Sequence, residues 1–430
     1  MRDVAELAAI GLITALVFPA GCSAAGENGI SPDTERDGSS NELVDTGPPE
    51  VDGGIPDAGP PTDSFVMTDD SGSSGEDVSP MPSSGHKTFS TREGSHVAGF
   101  DAGCSTDYRD STENLGAGSI TKTVYVSENA GAGGDGSKAS PYPSIEAALT
   151  TETVAELEVL LDAGDYRFPG ASQKDRLVLI GRCPGETTIG GDAQNPAVGV
   201  RGMETFTLAH LKVSGGRVGV KVRDVEKFRL VQSHVEGQTD TGVQVREVEA
   251  GHIDSTHIEG NAERGVDVRS SGIALINAWV TTTGPTGVRV QAPKSDLTSC
   301  TSAQPFCPYS GLVSVTKTLI GKATESGILA DHAQLRVMKS KITGIRSASG
   351  PAAAGVRSLQ SFVVMTDGPV VSDIAGPGLL LKSTRGAVES VDVRNTDAEG
   401  VVVERLGSDL LKPTWSGGGA QIPGSQWDAG

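Results

Sequence analysis

Three arginines recur at a fixed step in this chain: Arg223, Arg246 and Arg269, each 23 residues after the last. Two acids, Asp240 and Glu263, keep the same step. A guanidinium carries a permanent charge and a planar fork of donors matched to acidic groups, so a row of them could dock an anionic polymer. Gathered acids could instead hold a hard cation through their oxygens. Both readings require residues 23 apart to become neighbours. The competing reading is mutual neutralisation, with Asp224, Glu247 and Arg264 close at hand. His234, His252 and His257 form no recurring constellation with Asp or Ser, and no metal site is read from them.

A step of about 22 residues runs through the whole stretch from Val198 to Leu406. A glycine precedes an apolar–polar–apolar triplet at Gly219-Val220-Lys221-Val222, Gly242-Val243-Gln244-Val245, Gly265-Val266-Asp267-Val268 and Gly287-Val288-Arg289-Val290. Looser copies start at Gly199, Gly327, Gly355, Gly378 and Gly400. A second apolar strand follows in most copies, as at Phe228-Arg229-Leu230, Ile273-Ala274-Leu275 and Leu335-Arg336-Val337, and a polar turn such as Glu236-Gly237 closes the copy. Fixed-period self-similarity means a stack of repeats. Apolar residues two apart mean strands, and strands this short bury a face only when coils lie one on another. Val220, Val243, Val266, Val288, Ile328, Val356, Leu379 and Val401 then form one inward ladder. The three arginines point outward, about 5 Å apart, where unit charges repel by roughly 0.8 kcal/mol in water. Asp240 and Glu263 become neighbours in a turn, with Glu325 at the same position further along.

This pattern resembles the right-handed parallel β-helix repeat of the pectin-lyase-like fold. The resemblance implies an all-β, single-stranded right-handed parallel β-helix of about nine coils. Residues 124–191 are similar to the N-terminal cap of secreted β-helix proteins. The match runs through Val124-Tyr125-Val126-Ser127, Ser140-Pro141-Tyr142-Pro143-Ser144-Ile145 and Ala163-Gly164-Asp165-Tyr166. Pro143 and Ser144 suit a helix start, and a short helix over Glu146–Leu149 can cover the open end of the coil. Pectin-degrading hydrolases of this fold carry Asn-Thr-Asp, Asp-Asp, Gly-His-Gly and Arg-Ile-Lys in that order. Here Asn395-Thr396-Asp397 lies in the penultimate coil, and Gly251-His252-Ile253 replaces the Gly-His-Gly. The lyases of the fold use carboxylates around Ca²⁺ and a basic side chain as base. That resemblance implies Asp240 and Glu263 with a ladder arginine such as Arg246.

The flanks read differently. Ala8–Phe18 is an apolar run too short to span a bilayer and suited to a signal peptide. It leads into Ala20-Gly21-Cys22-Ser23, which resembles the bacterial lipobox, with Pro19 where that family prefers Leu or Val. The resemblance implies residues 1–22 as a lipoprotein signal, lipidation at Cys22, export and an outer-membrane anchor, with the body at the surface or on the periplasmic face. Residues 23–121 hold four basic against nineteen acidic residues and are rich in Gly, Ser and Pro. Such a segment is expected to be a disordered linker, with a reach of roughly 55 Å. Residues 122–430 hold thirty basic against thirty-four acidic residues, a near-neutral balance that excludes nucleic acid as a partner. The segments read as cap and first coils over 122–197, repeats over 198–411 with an insertion near 291–311, and a tail over 412–430. Apart from Cys22, the cysteines are Cys104, Cys183, Cys300 and Cys307. An even count outside the cytoplasm suggests disulfides; Cys300–Cys307 would close a small loop, leaving Cys104 for Cys183. The expected function is noncatalytic binding of an acidic polysaccharide or protein partner by an anchored monomer. The alternatives are a polysaccharide lyase dependent on Ca²⁺ and a structural envelope protein. No other cofactor is expected.

Overall fold

A computed structural model describes residues 120–170, 174–292, 312–347 and 353–404. Within them every strand pairing between named strands is parallel. One sheet contains 17 strands and a second contains 10. Each coil has three faces, because the longer strands bend at a corner and pair as two separate runs. The strand Thr241–Asp254 shows this: its first run pairs Val243 with Val266, and its second pairs Ile253 with Leu275. The bend is a single residue in the left-handed region, at Asp224, Glu247 and Ser270 in successive coils. A second left-handed residue, at Gln232, Ser255 and Asn277, turns the chain onto the third face. One such residue redirects the chain without breaking the stack, at a cost of about 1–2 kcal/mol when it is not glycine. The chain is a parallel β-helix.

The inward ladder has nine rungs: Val198, Val220, Val243, Val266, Val288, Ile328, Val356, Leu379 and Val401. Their side chains are almost entirely buried. Removing each from water contributes about 1.5–3 kcal/mol. The register corrects one reading. Val198 pairs with Val220 and Gly199 with Lys221, so Ala197, not Gly199, stands on the rung of Gly219. The remaining turn glycines stay in phase for want of space. A Cβ on Gly265 would meet Val280 Cγ1, and it would lie 2.7 Å from the Gly287 carbonyl oxygen.

The capping helix, α1, spans Ile145–Thr151, with the Ser144 hydroxyl accepting from the Ala147 amide at 3.1 Å. It buries Ile145 and Ala148 against the core. Tyr142, beside it, donates its hydroxyl to Glu152 at 2.7 Å, and Lys122 reaches the other Glu152 oxygen at 2.7 Å. The carboxylate partner and burial push the Tyr142 pKa up to about 12. The first-face strand ends at Gln291 and the next second-face strand begins at Leu312, with residues 293–311 between them in sequence. Residues 293–311, the signal and linker segments and the tail lie outside the described residues. So do Cys22, Cys104, Cys300 and Cys307. Cys183 is buried and disulfide-bonded.

Candidate functional site

The arginine row occupies the outer edge of the first face, beside the corner. Register joins Arg223, Arg246 and Arg269 as expected and adds Arg201 before them. The out-of-phase Gly199 hid this fourth rung. Neutralisation follows a rule: each arginine reaches the corner residue of the next coil. Arg201 Nε donates to Asp224 at 2.8 Å, and Arg223 Nε donates to Glu247 at 3.2 Å. For Arg246 the next corner is Ser270, which carries no charge. The alternation stops there.

Beyond that break the face builds a polar cluster around one acid. Asp267 occupies the middle outward position, with Gln244 on the rung before and Arg289 on the rung after. Outward-facing as it is, Asp267 is 0% exposed. Arg269 folds back to it, its Nε 3.1 Å from Oδ2, while Arg289 Nε stands 4.0 Å from Oδ1. In this cluster three buried polar atoms have no hydrogen-bond partner among the described residues, Arg246 Nε, Arg289 Nε and Asp267 Oδ1, and others lie elsewhere in the coil. Buried polar atoms are nearly always paired, so orphans grouped in one place mark a point where water or a ligand completes the network. Burial holds the Arg246 guanidinium below its usual pKa, and Arg269 adds repulsion. Arg289 is lowered first by burial, against the pull of Asp267. Arg269 and Arg289 thus both lean on Asp267, Arg246 feels Asp267 and Glu247 without an ion pair among the described residues, and Lys221 and Arg223 extend the same face.

The turn acids come together elsewhere. Glu263 lies one rung from Asp240, its amide bonded to the Asp240 carbonyl at 2.8 Å. They line an open cleft of about 430 Å³ with Gln194, Arg217 and Arg264. Asp240 sits between Arg217 at 3.5 Å and Arg264 at 3.6 Å, and it accepts from the Thr241 hydroxyl at 2.7 Å. Calcium takes six to eight oxygen ligands, and two guanidiniums on the central carboxyl group oppose any cation, so these donors do not fit Ca²⁺. Arg246 stands six residues along the strand from Asp240, about 20 Å at strand rise. The trio Asp240, Glu263 and Arg246 is not assembled.

Other singled-out residues disperse. Asn395 donates to Asp373 at 3.2 Å on the third face, and His252 is an exposed strand residue paired with Ala274. His234 and His257, by contrast, pair in register and stack. The signal was legible: His234-Val235-Glu236-Gly237 and His257-Ile258-Glu259-Gly260 differ only by Val for Ile and lie 23 residues apart.

No protein-family profile matches the sequence, and no curated protein does. Among solved structures, the chain is similar to pectate lyase Pel9A at 12% identity and a TM-score of 0.41, covering 72% of this chain and 82% of that one. It is similar to the A-module of the mannuronan C-5 epimerase AlgE4 of Azotobacter vinelandii at 15% identity and a TM-score of 0.43, covering 61% and 91%. A lacto-N-biosidase of Eubacterium ramulus is similar at 10% identity and a TM-score of 0.31, covering 66% and 68%.

Proposed function

We propose that this protein binds an acidic polysaccharide without cleaving it, on the first face around Arg246. The observation that carries the reading is the break in neutralisation at that rung: Arg246 makes no ion pair among the described residues, while its neighbours Arg269 and Arg289 both lean on one buried acid, Asp267. Guanidiniums one coil apart, about 4.8 Å, suit a ligand whose negative charges also recur along a chain. An extended face without enclosing walls suits a polymer better than a small molecule. The noncatalytic part rests on the turn cleft, where Asp240 is tied to Arg217 and Arg264 and lies far from Arg246. Anchoring at the outer membrane through Cys22 belongs to the same reading, on the strength of the Ala20-Gly21-Cys22 sequence after its apolar run.

The test mixes the full chain with polyuronates of differing linkage and with a neutral glucan. Co-sedimentation and ultraviolet absorbance of unsaturated sugars are followed in the same tubes. The reading expects binding to the acidic polymers alone, no growth in absorbance, and loss of binding in Arg246→Ala/Arg269→Ala/Arg289→Ala. Growth in absorbance would replace a binding protein with a lyase. Unchanged binding by the triple variant would move the site off this face.

A further inference from the structure

The third face carries a cluster that the polysaccharide reading does not use. His234 and His257 stand on successive rungs, their imidazole planes 7° apart and their centroids at 4.9 Å. Their side chains are 5% and 2% exposed. Glu259, two residues beyond His257 on the same outward side of its strand, points its carboxyl group between them. One oxygen lies 3.1 Å from His234 Nε2, and the other lies 3.3 Å from His257 Nε2. Trp279 closes the stack on the next rung, its ring 5.2 Å from that of His257.

We propose that His234 Nε2, His257 Nε2 and a Glu259 carboxylate oxygen bind one divalent transition-metal ion of the zinc class, clamping two successive coils. The donor chemistry points there first. Two imidazoles and one carboxylate suit zinc and its first-row neighbours, whereas calcium and magnesium take oxygen alone. Geometry agrees. Ligands about 2.0–2.1 Å from a tetrahedral ion lie about 3.3 Å from one another, and both nitrogen–oxygen separations already fall close to that. All three ligand atoms lie within 4.8 Å of one another. The two nitrogens therefore need to close by at most about 1.5 Å, a ring rotation about the broad terminal torsion of histidine. The buried imidazoles exclude water from one side of the Glu259 carboxylate, which is 26% exposed, and so strengthen its attraction for a cation. Glu236, 3.4 Å from His234 Nε2, is already held by Lys212 at 2.5 Å. That contact uses Oε1, and the oxygen facing His234 is Oε2, so the fourth position falls to water or to Glu236 Oε2.

The experiment uses the full chain without a polyhistidine tag, dialysed against buffered micromolar zinc and assayed for bound metal. Binding of about one zinc per chain is expected, unaffected by alkylation of thiols. The His234→Gln/His257→Gln variant should abolish it, and Glu259→Gln should weaken it by at least about tenfold. X-ray absorption of the zinc-loaded wild-type chain should find two imidazoles and oxygen around the metal, with no sulfur. That measurement carries the test even where the double variant fails to fold. No zinc binding, zinc retained by a folded double variant, or sulfur ligation would each overturn the proposal.

Discussion

Single side chains on the first face differ in worth according to which corner they reach. Arg201 is 64% exposed and pairs with Asp224; exposed pairs contribute about 0.2–1 kcal/mol. Arg201→Ala should therefore lower stability by less than about 1 kcal/mol and leave polyuronate binding within about twofold. Arg246→Ala should weaken that binding by roughly tenfold, the loss of one charge-assisted contact; titration of both variants against one polymer compares them. Asp267→Asn should move two readouts in opposite directions. It removes the buried carboxylate that Arg269 and Arg289 contact, leaving only the more distant Glu247 and Asp331, which lowers the melting temperature, and it strengthens polyanion binding. Added polymer should then restore much of the lost melting temperature. A variant that binds more weakly would place Asp267 in direct contact with the ligand. The cap offers a residue-scale test in pH. Tyr142 has its folded pKa raised to about 12 from an ordinary value of 10. A raised folded pKa contributes stability that is complete below pH 10 and lost as pH climbs towards 12. Melting temperature should fall across that window, and Tyr142→Phe should flatten the fall. Of this residue detail the sequence showed the step of the arginines and two of their partners, Asp224 and Glu247, but not the third, Asp267. The burial of Asp267 was illegible, because alternation along a strand assigns only inward or outward, and an outward residue can still be covered by long neighbours.

At the scale of the coil, the inward ladder was legible from Val220 to Val401 because every rung repeats the same small motif. Phase failed where the motif lost its glycine. Ala197 occupies the turn rung at the start of the stack, and Gly199, two residues on, stood in for it. The third face was legible only by its step: His234 and His257 keep the 23-residue spacing of the arginines, but its strands of three to five residues carry no motif strong enough to single them out. The turn glycines themselves make a testable element. Their role is lateral clearance and not an unusual backbone angle, since Gly265 is absent from the left-handed positions. Gly265→Ala drives a methyl group onto Val280 and the Gly287 carbonyl. Overpacking of this kind costs about 1–3 kcal/mol, read as a lower urea midpoint with an unchanged slope. The contrasting site is Gly260, at φ +64° with no side chain near its missing Cβ. Gly260→Ala should cost about 1 kcal/mol through backbone strain alone, while Gly260→Asn should recover part of it, because Asn tolerates that conformation. Asn at position 265 should instead be worse than Ala. Equal tolerance of Asn at both positions would mean that space does not select the glycine ladder.

Across the whole chain, charge is distributed in a way that a net figure conceals. The total is −20, yet residues 122–430 are close to neutral, and within them the first face gathers Lys221, Arg223, Arg246, Arg269 and Arg289. A polymer docking there must approach a chain that is acidic overall, so attraction depends on the local field of this face, whose reach salt sets. The Debye length is about 10 Å at 0.1 M salt and about 3 Å at 1 M. With some three guanidiniums engaged, each neutralised polymer charge releases counterions, and the logarithm of affinity should fall with the logarithm of salt concentration. A slope no steeper than about −3 is expected, since even dense polyanions return slightly less than one per contact. The Arg246→Ala/Arg269→Ala/Arg289→Ala variant should lose most of that slope together with the affinity. Arg201→Ala should keep the wild-type slope, because its guanidinium is already spent on Asp224. The two variants separate a local site from a diffuse one. Were binding merely the sum of every basic residue on the surface, removing Arg201 would flatten the slope as much as removing any one of the other three.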